Sequence, residues 1–225
     1  RYVLFFQEVV KKTAKLFASW QAVGFCHGVL NTDNMSLLGL TLDYGPYGFI
    51  EHFDQYHICN HSDHEGRYSL GNQPGIGMWN LQKLGEALSD FISEEDRKRT
   101  LETYPPLFLF EYRRELLRKL GLLKMDLEDE DLLRAMLNML VETKIDYTQF
   151  FRSLSRYKKG SQALDEWNFS SLSEWLKRYD QRLEKEEVSE DERWAKMLAV
   201  TPKFILRNYL AQMAIENTNL LNDIL

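Results

Sequence analysis

Apolar residues spaced three and four apart recur from Trp79 almost to the C-terminus, and this run limits the possible folds more than any other feature. Strand-like composition is confined to Ser36–Leu42, a short apolar stretch with one Gly that reads as a strand or one arm of a hairpin. The N-terminal stretch joins the helical part. Val3, Phe6, Val10, Phe17 and Trp20 step by three, four or seven, Lys11, Lys12 and Lys15 suit the solvent side, and Gly24 ends the helix. The pattern predicts a mainly α chain with a short β-hairpin.

The remaining segments follow from local signals. Cys26–Met35 is polar and reads as a loop, and Asp43-Tyr44-Gly45-Pro46 as a turn. Residues 46–78 hold four of the five His and many of the Gly, and read as a long ordered loop, with Phe49, Phe53, Tyr56 and Tyr68 arguing against disorder. Helices are expected from about Trp79 to Phe91, from Pro105-Pro106 to near Gly121, and around Leu132, Leu133, Met136, Leu137 and Leu140. Ser171 with Glu174 and Ser189 with Glu192 match capping boxes. Thr201-Pro202 reads as the cap and first turn of a last helix carrying Phe204, Ile205, Tyr209 and Met213. The acidic runs Glu128–Asp131 and Glu184–Glu192 read as solvated faces or linkers, and Trp79, Trp167, Trp175 and Trp194 as core or helix-packing residues.

With 225 residues, 44% of them hydrophobic, the chain can bury a sizeable core. A net charge of -6 argues against a general nucleic-acid binder, yet leaves room for a nucleotide site built from a few local charges and a metal. No apolar run approaches the ~20 residues of a membrane span, and no signal or transit segment is visible. The chain opens at Arg1 within a helical pattern and is read as a fragment. Two cysteines, Cys26 and Cys59, with no C-x-x-C, fit a reducing compartment or a mitochondrial matrix better than a disulfide-stapled secreted scaffold.

Chemistry concentrates in His27-Gly28-Val29-Leu30-Asn31-Thr32-Asp33-Asn34, followed by Leu42-Asp43-Tyr44-Gly45. A helix, a loop ending in Asp-Asn, a short apolar hairpin and an Asp-x-Gly turn follow in the order used by phosphoryl-transfer enzymes of the kinase fold. Asn34 and Asp43 supply the oxygen ligands that hard divalent cations take. The kinase pattern H-x-D-x-x-x-x-N keeps its His27 and Asn34, but Val29 stands at the Asp position and cannot accept a proton. Either Asp33 has taken the base role, or the domain performs no transfer. His27 reads as a structural residue of the loop.

The run from Gly24 to Leu88 resembles the signature block of the selenoprotein O family, and Pro202–Glu216 continues the match. The resemblance implies a protein-kinase-like C-terminal lobe over 1–120, a helical C-terminal extension over 121–225, and an N-terminal lobe upstream that holds the phosphate-cradling residues. It implies a pseudokinase lineage that transfers AMP from ATP, bound in a flipped orientation, to Ser, Thr or Tyr hydroxyls of proteins. Asp33 would then be the proton acceptor, Asn34 and Asp43 would hold Mg²⁺ (Mn²⁺ being the alternative), and Asp43 would also lie close to ATP. The partners implied are ATP and hydroxyl-bearing proteins, with no nucleic acid and no membrane, in mitochondria or a bacterial cytoplasm, and this stretch alone would be inactive. The family's redox partner for Cys59, a Cys or selenocysteine near the C-terminus, does not occur within these residues. His52, His57, Cys59, His61, Asp63 and His64 have zinc-ligand chemistry without a tetrahedral spacing. Arg67 suits pairing with a carboxylate or phosphate, and equally a structural pairing.

Overall fold

The computed structural model describes residues 1–161 and 163–222. Among them are helices α1 (Tyr2–Val23), α2 (Gln73–Ala87), α3 (Glu94–Leu101), α4 (Tyr104–Lys119), α5 (Asp129–Thr143), α6 (Tyr147–Leu154), α7 (Ser170–Leu183), α8 (Glu190–Val200) and α9 (Asn208–Asn222), with one small antiparallel sheet of β1 (Phe25–Cys26) and β2 (Gly48–Phe49). Phe25 pairs with Phe49 and Cys26 with Gly48. No helix among the described residues is long and apolar enough to cross a membrane.

Two apolar clusters hold the helices together. Phe6, Val10, Phe17 and Trp20 of α1 pack with Leu81 of α2 and with Tyr104 and Phe108 of α4. The second cluster gathers Leu116, Leu117 and Leu120 with Met136 and Leu140 of α5, Phe150 and Phe151 of α6, Trp175 and Tyr179 of α7, and Met197 of α8. Helix α4 feeds both clusters, and Tyr112, one turn on from Phe108, packs against each of them. Burying such large side chains contributes on the order of 1.5–3 kcal/mol each before chain entropy is subtracted.

Gly24 ends α1 in the left-handed conformation (φ 71°), and its N–H bonds back to the helix carbonyls. A Cβ there would lie 2.5 Å from Ile50, so both the turn and the crowding select glycine. The same crowding recurs at Gly77, where a Cβ would meet the Tyr104 hydroxyl at 2.6 Å and Phe17 at 3.0 Å. Glycine thus lets α2 lie close on α1 and α4, and α2 starts at Gln73, six residues before the Trp79 expected from spacing. Pro74 sits in its first turn, where a missing N–H costs nothing.

Other expectations also shift. Ser36–Leu42 forms no strand. Its segment makes one isolated bridge, Met35 with Thr41, around the Ser36–Gly39 turn, and with no strand among the described residues laid over them the Leu side chains stay largely exposed. Helices α3 and α6 arise where the periodicity marks no separate helix, each opened by a side-chain cap, Ser93 to the Asp96 N–H and Asp146 to the Gln149 N–H. Ser189 caps α8 as expected, but Ser171 lies inside α7, whose cap position is Phe169. Thr201 closes α8 instead of opening α9, because residues 201–207 run on to place Arg207 against Glu51 and Asp146. Trp175 is buried, whereas Trp79 is 37% and Trp194 45% exposed.

The acidic run at 128–131 is not wholly solvated. Asp129 is fully buried, and its Oδ1 accepts from Arg182 Nε at 2.6 Å. Arg182 also donates to Glu186 at 2.9 Å and to the Lys124 carbonyl at 2.5 Å. Glu186 in turn accepts from the Leu123 N–H. A buried charge this well bonded locks the 121–128 connection onto α7.

Candidate functional site

The segment after β1 is held by amide side chains from α2 and from the loop at Asn60. Gln73, the first residue of α2, accepts from the His27 N–H at 2.8 Å and donates to the Phe25 carbonyl at 2.9 Å. Asn80, two turns along α2, donates to the Leu30 carbonyl at 3.0 Å, and Asn60 donates to the Gly28 carbonyl at 3.3 Å. Gln73 and Asn80 are both buried, and neither stands out in the sequence. The signal for them is two amides on one face of a helix that otherwise buries apolar residues.

Thr32–Asn34 forms a single 3-10 turn. The Asn34 side-chain N–H donates to the Val29 carbonyl at 3.0 Å, which leaves the amide oxygen as its available ligand atom. Asp33 is exposed on the same turn. Asp43 is also exposed and adopts φ 53°, a left-handed conformation unusual for a residue with a side chain. Among the described residues, neither the Asp33 nor the Asp43 carboxylate has a hydrogen-bond or ion-pair partner.

His27 links the two parts. Its ring is fully buried, Nε2 lies 2.7 Å from the Leu42 carbonyl, and Nδ1 faces the Val29 N–H at 3.4 Å. The neutral tautomer with the proton on Nε2 satisfies both contacts: Nε2–H donates to Leu42 and Nδ1 accepts from Val29. Burial pushes the His27 pKa down, opposed in part by the Leu42 carbonyl and the nearby Asp43 charge. One ring therefore ties Val29, whose carbonyl holds Asn34, to Leu42, whose neighbour is Asp43. Among the described residues the Asn34 amide oxygen, like the Asp43 carboxylate, has no hydrogen-bond partner, and such oxygens on turns joined by a shared ring suit a hard divalent cation that retains water and phosphate oxygens.

The His- and Cys-bearing segment does other work. Among the described residues, no group of three or more His, Cys, Asp or Glu could hold a metal. Asp63 accepts from the Arg67 and Tyr68 N–H groups, and His61 and His64 are exposed. Cys59 Sγ donates to the Cys26 carbonyl at 3.2 Å, both cysteines are buried free thiols, and the neighbouring Cys26 thiol together with burial pushes the Cys59 thiol up. A cavity of about 330 Å³ between α1 and α2 is lined by Val9, Thr13, Met35, Leu81 and Leu84, and reaches Thr32 but none of Asp33, Asn34 or Asp43. Its walls are mostly apolar, with Lys83 and a few hydroxyls among them.

A family model described as protein adenylyltransferase SelO matches residues 1–224. Protein nucleotidyltransferase YdiU of Yersinia pseudotuberculosis serotype O:1b (strain IP 31758) is 46% identical over 218 residues, which are 95% of this chain and 45% of that protein. Protein nucleotidyltransferase YdiU of Enterobacter sp. (strain 638) is 48% identical over 223 residues, 96% of this chain and 46% of that protein. The chain spans about half the length of these curated relatives.

Proposed function

The chain belongs to the protein adenylyltransferase SelO family, and from that premise we propose that it is the metal-holding part of a protein-kinase-like enzyme that transfers AMP from ATP to Ser, Thr or Tyr hydroxyls of proteins. Residues 1–120 form the kinase-like C-terminal lobe in this reading, and 121–225 a helical extension. The observation that carries it is the His27 bridge, which fixes the Asn34 turn to the Asp43 turn while leaving both oxygens unengaged.

Asn34 and Asp43 would hold Mg²⁺, and Asp43 would also lie close to ATP. Mg²⁺, when bound, neutralises charge on the phosphates. Asp33, exposed and without a partner among the described residues, takes the proton of the acceptor hydroxyl as the hydroxyl oxygen bonds to the α-phosphorus and pyrophosphate leaves. Val29 stands where a kinase has its catalytic Asp and takes no part in proton transfer.

Two substitutions in the intact protein test these roles. Asp33→Ala slows AMP transfer about 10²–10⁴-fold and leaves Mg-ATP affinity within about threefold of wild type. Asp43→Ala abolishes metal-dependent nucleotide binding by calorimetry. Transfer by Asp33→Ala close to the wild-type rate would remove its proton-accepting role, and unchanged Mg-ATP affinity in Asp43→Ala would remove the metal assignment.

A further inference from the structure

Arg67 is exposed and stacks on aromatic rings. Its guanidinium carbon lies 5.1 Å from the Trp79 ring centroid and 5.6 Å from that of Tyr68. Among the described residues no carboxylate pairs with it, in a chain of net charge -6. Lys83 also lies over Trp79, at 5.8 Å, but its ammonium is engaged by Glu86 at 2.9 Å. Arg67 is therefore the unneutralised cation of this platform.

The platform is fixed to the candidate site. Asp63 accepts from the Arg67 N–H at 2.9 Å with one oxygen and from the Tyr68 N–H at 2.8 Å with the other. The Tyr68 hydroxyl donates to Asn31 Oδ1 at 2.6 Å, two residues ahead of Asp33. With its guanidinium over these rings, Arg67 has no side-chain hydrogen bond among the described residues, and its N–H groups stay available to a planar, two-oxygen partner. Holding the side chain on Trp79 and Tyr68 in advance removes part of the entropy cost of binding.

We propose that Arg67, stacked on Trp79 and Tyr68, binds a carboxylate side chain flanking the acceptor hydroxyl, so that the protein acceptors present their Ser, Thr or Tyr within an acidic segment. This rests on the AMP-transfer reading above. The segment lies across Asn31 with its hydroxyl toward Asp33, and its acidic neighbour meets the Arg67 fork.

Fluorescence anisotropy on the intact protein tests the docking separately from the chemistry. The probes are two labelled peptides with a central Tyr, one flanked by Glu and the other by Gln at the same positions. The Glu peptide binds about tenfold tighter at low ionic strength, and the gap narrows as salt is added. Arg67→Ala erases the preference, whereas Arg67→Lys keeps part of it, because a point charge replaces the fork. Equal binding of the two peptides, or a preference that survives Arg67→Ala, overturns the inference. So does a loss of Mg-ATP affinity in Arg67→Ala with peptide preference intact, which would place a phosphate at Arg67. A second arm supplies ATP labelled at the α-phosphate. Arg67-dependent binding of the Glu peptide with no label transferred to any protein or peptide would overturn the AMP-transfer reading and leave the docking surface standing.

Discussion

His27→Leu removes the ring that joins the two turns of the site, and its cost can be worked from the hydrogen bonds and packing that the ring provides. The Leu42 carbonyl gives up a 2.7 Å hydrogen bond. A buried polar group left without its partner costs about 1–3 kcal/mol. The Val29 N–H contact, at 3.4 Å, is long and adds little. The ring also packs 5.5 Å from Trp20 and 6.3 Å from Phe25, and a Leu side chain replaces that packing with a loss of about 1 kcal/mol. The expected destabilisation is about 2–4 kcal/mol, or roughly 4–16 °C in Tm for a domain of this size. Mg-ATP affinity falls about tenfold, because the turn bearing Asp43 is no longer pinned.

The pH dependence gives His27→Leu a signature that a general packing defect lacks. His27 is held neutral, with its pKa pushed below 6.5 by burial. As pH falls below 6.5, the unfolded chain binds a proton that the folded ring resists, so wild-type stability drops by up to about 1.4 kcal/mol per pH unit per such group. His57 is pushed down by burial in the same way, so the wild type carries two such contributions and His27→Leu one. Urea unfolding at pH 7.5 and pH 5.5 reads the difference. A destabilisation below about 0.5 kcal/mol, or an acid slope equal to that of the wild type, would refute the bridging role.

Three further outcomes follow from single residues. Asp43→Gly relieves a left-handed conformation that costs a side-chain-bearing residue about 1–2 kcal/mol, so thermal melts rise slightly while calorimetry shows Mg-ATP binding lost. Arg182→Ala leaves Asp129 and Glu186 buried and unpaired, and chemical unfolding should show a loss of about 3–5 kcal/mol, with Asp129→Ala in the same chain recovering part of it. Lys119 is almost fully buried over the Phe151 ring, and burial lowers its pKa to about 7. Between that value and 10.5 only the unfolded chain holds the proton, so stability climbs with pH across the window, and Lys119→Met flattens the climb in melts at pH 7 and pH 9.5.

The stretch of the candidate site is legible in the sequence because its signals are local. The helix ending at Gly24, the spacing from His27 to Asn34 and the Asp-x-Gly turn each lie within a few residues of one another. Tertiary partners are not legible. Nothing in the run 128–131 distinguishes Asp129 from its neighbours until Arg182 arrives from a helix more than fifty residues on. Gln73 and Asn80 read as ordinary polar residues, because the carbonyls they hold belong to a distant loop. The start of α2 is hidden because Gly75 and Gly77 look like loop residues, whereas Gly77 is required by contact with Tyr104 and Phe17. The Ser36–Leu42 stretch has the apolar composition of a strand, and only the missing neighbour strand decides against it.

Supplying the intact protein with Mg²⁺ and ATP labelled separately at the α- and γ-phosphates tests the proposed transfer most directly. Attack on the α-phosphorus with loss of pyrophosphate, with Asp33 accepting the proton and Val29 in the kinase Asp position, requires label from the α-phosphate to appear on acceptor protein and γ-label to leave with pyrophosphate. Transfer of the γ-label instead would make the protein a kinase using Asp33 as base, and transfer of neither would leave a catalytically silent scaffold.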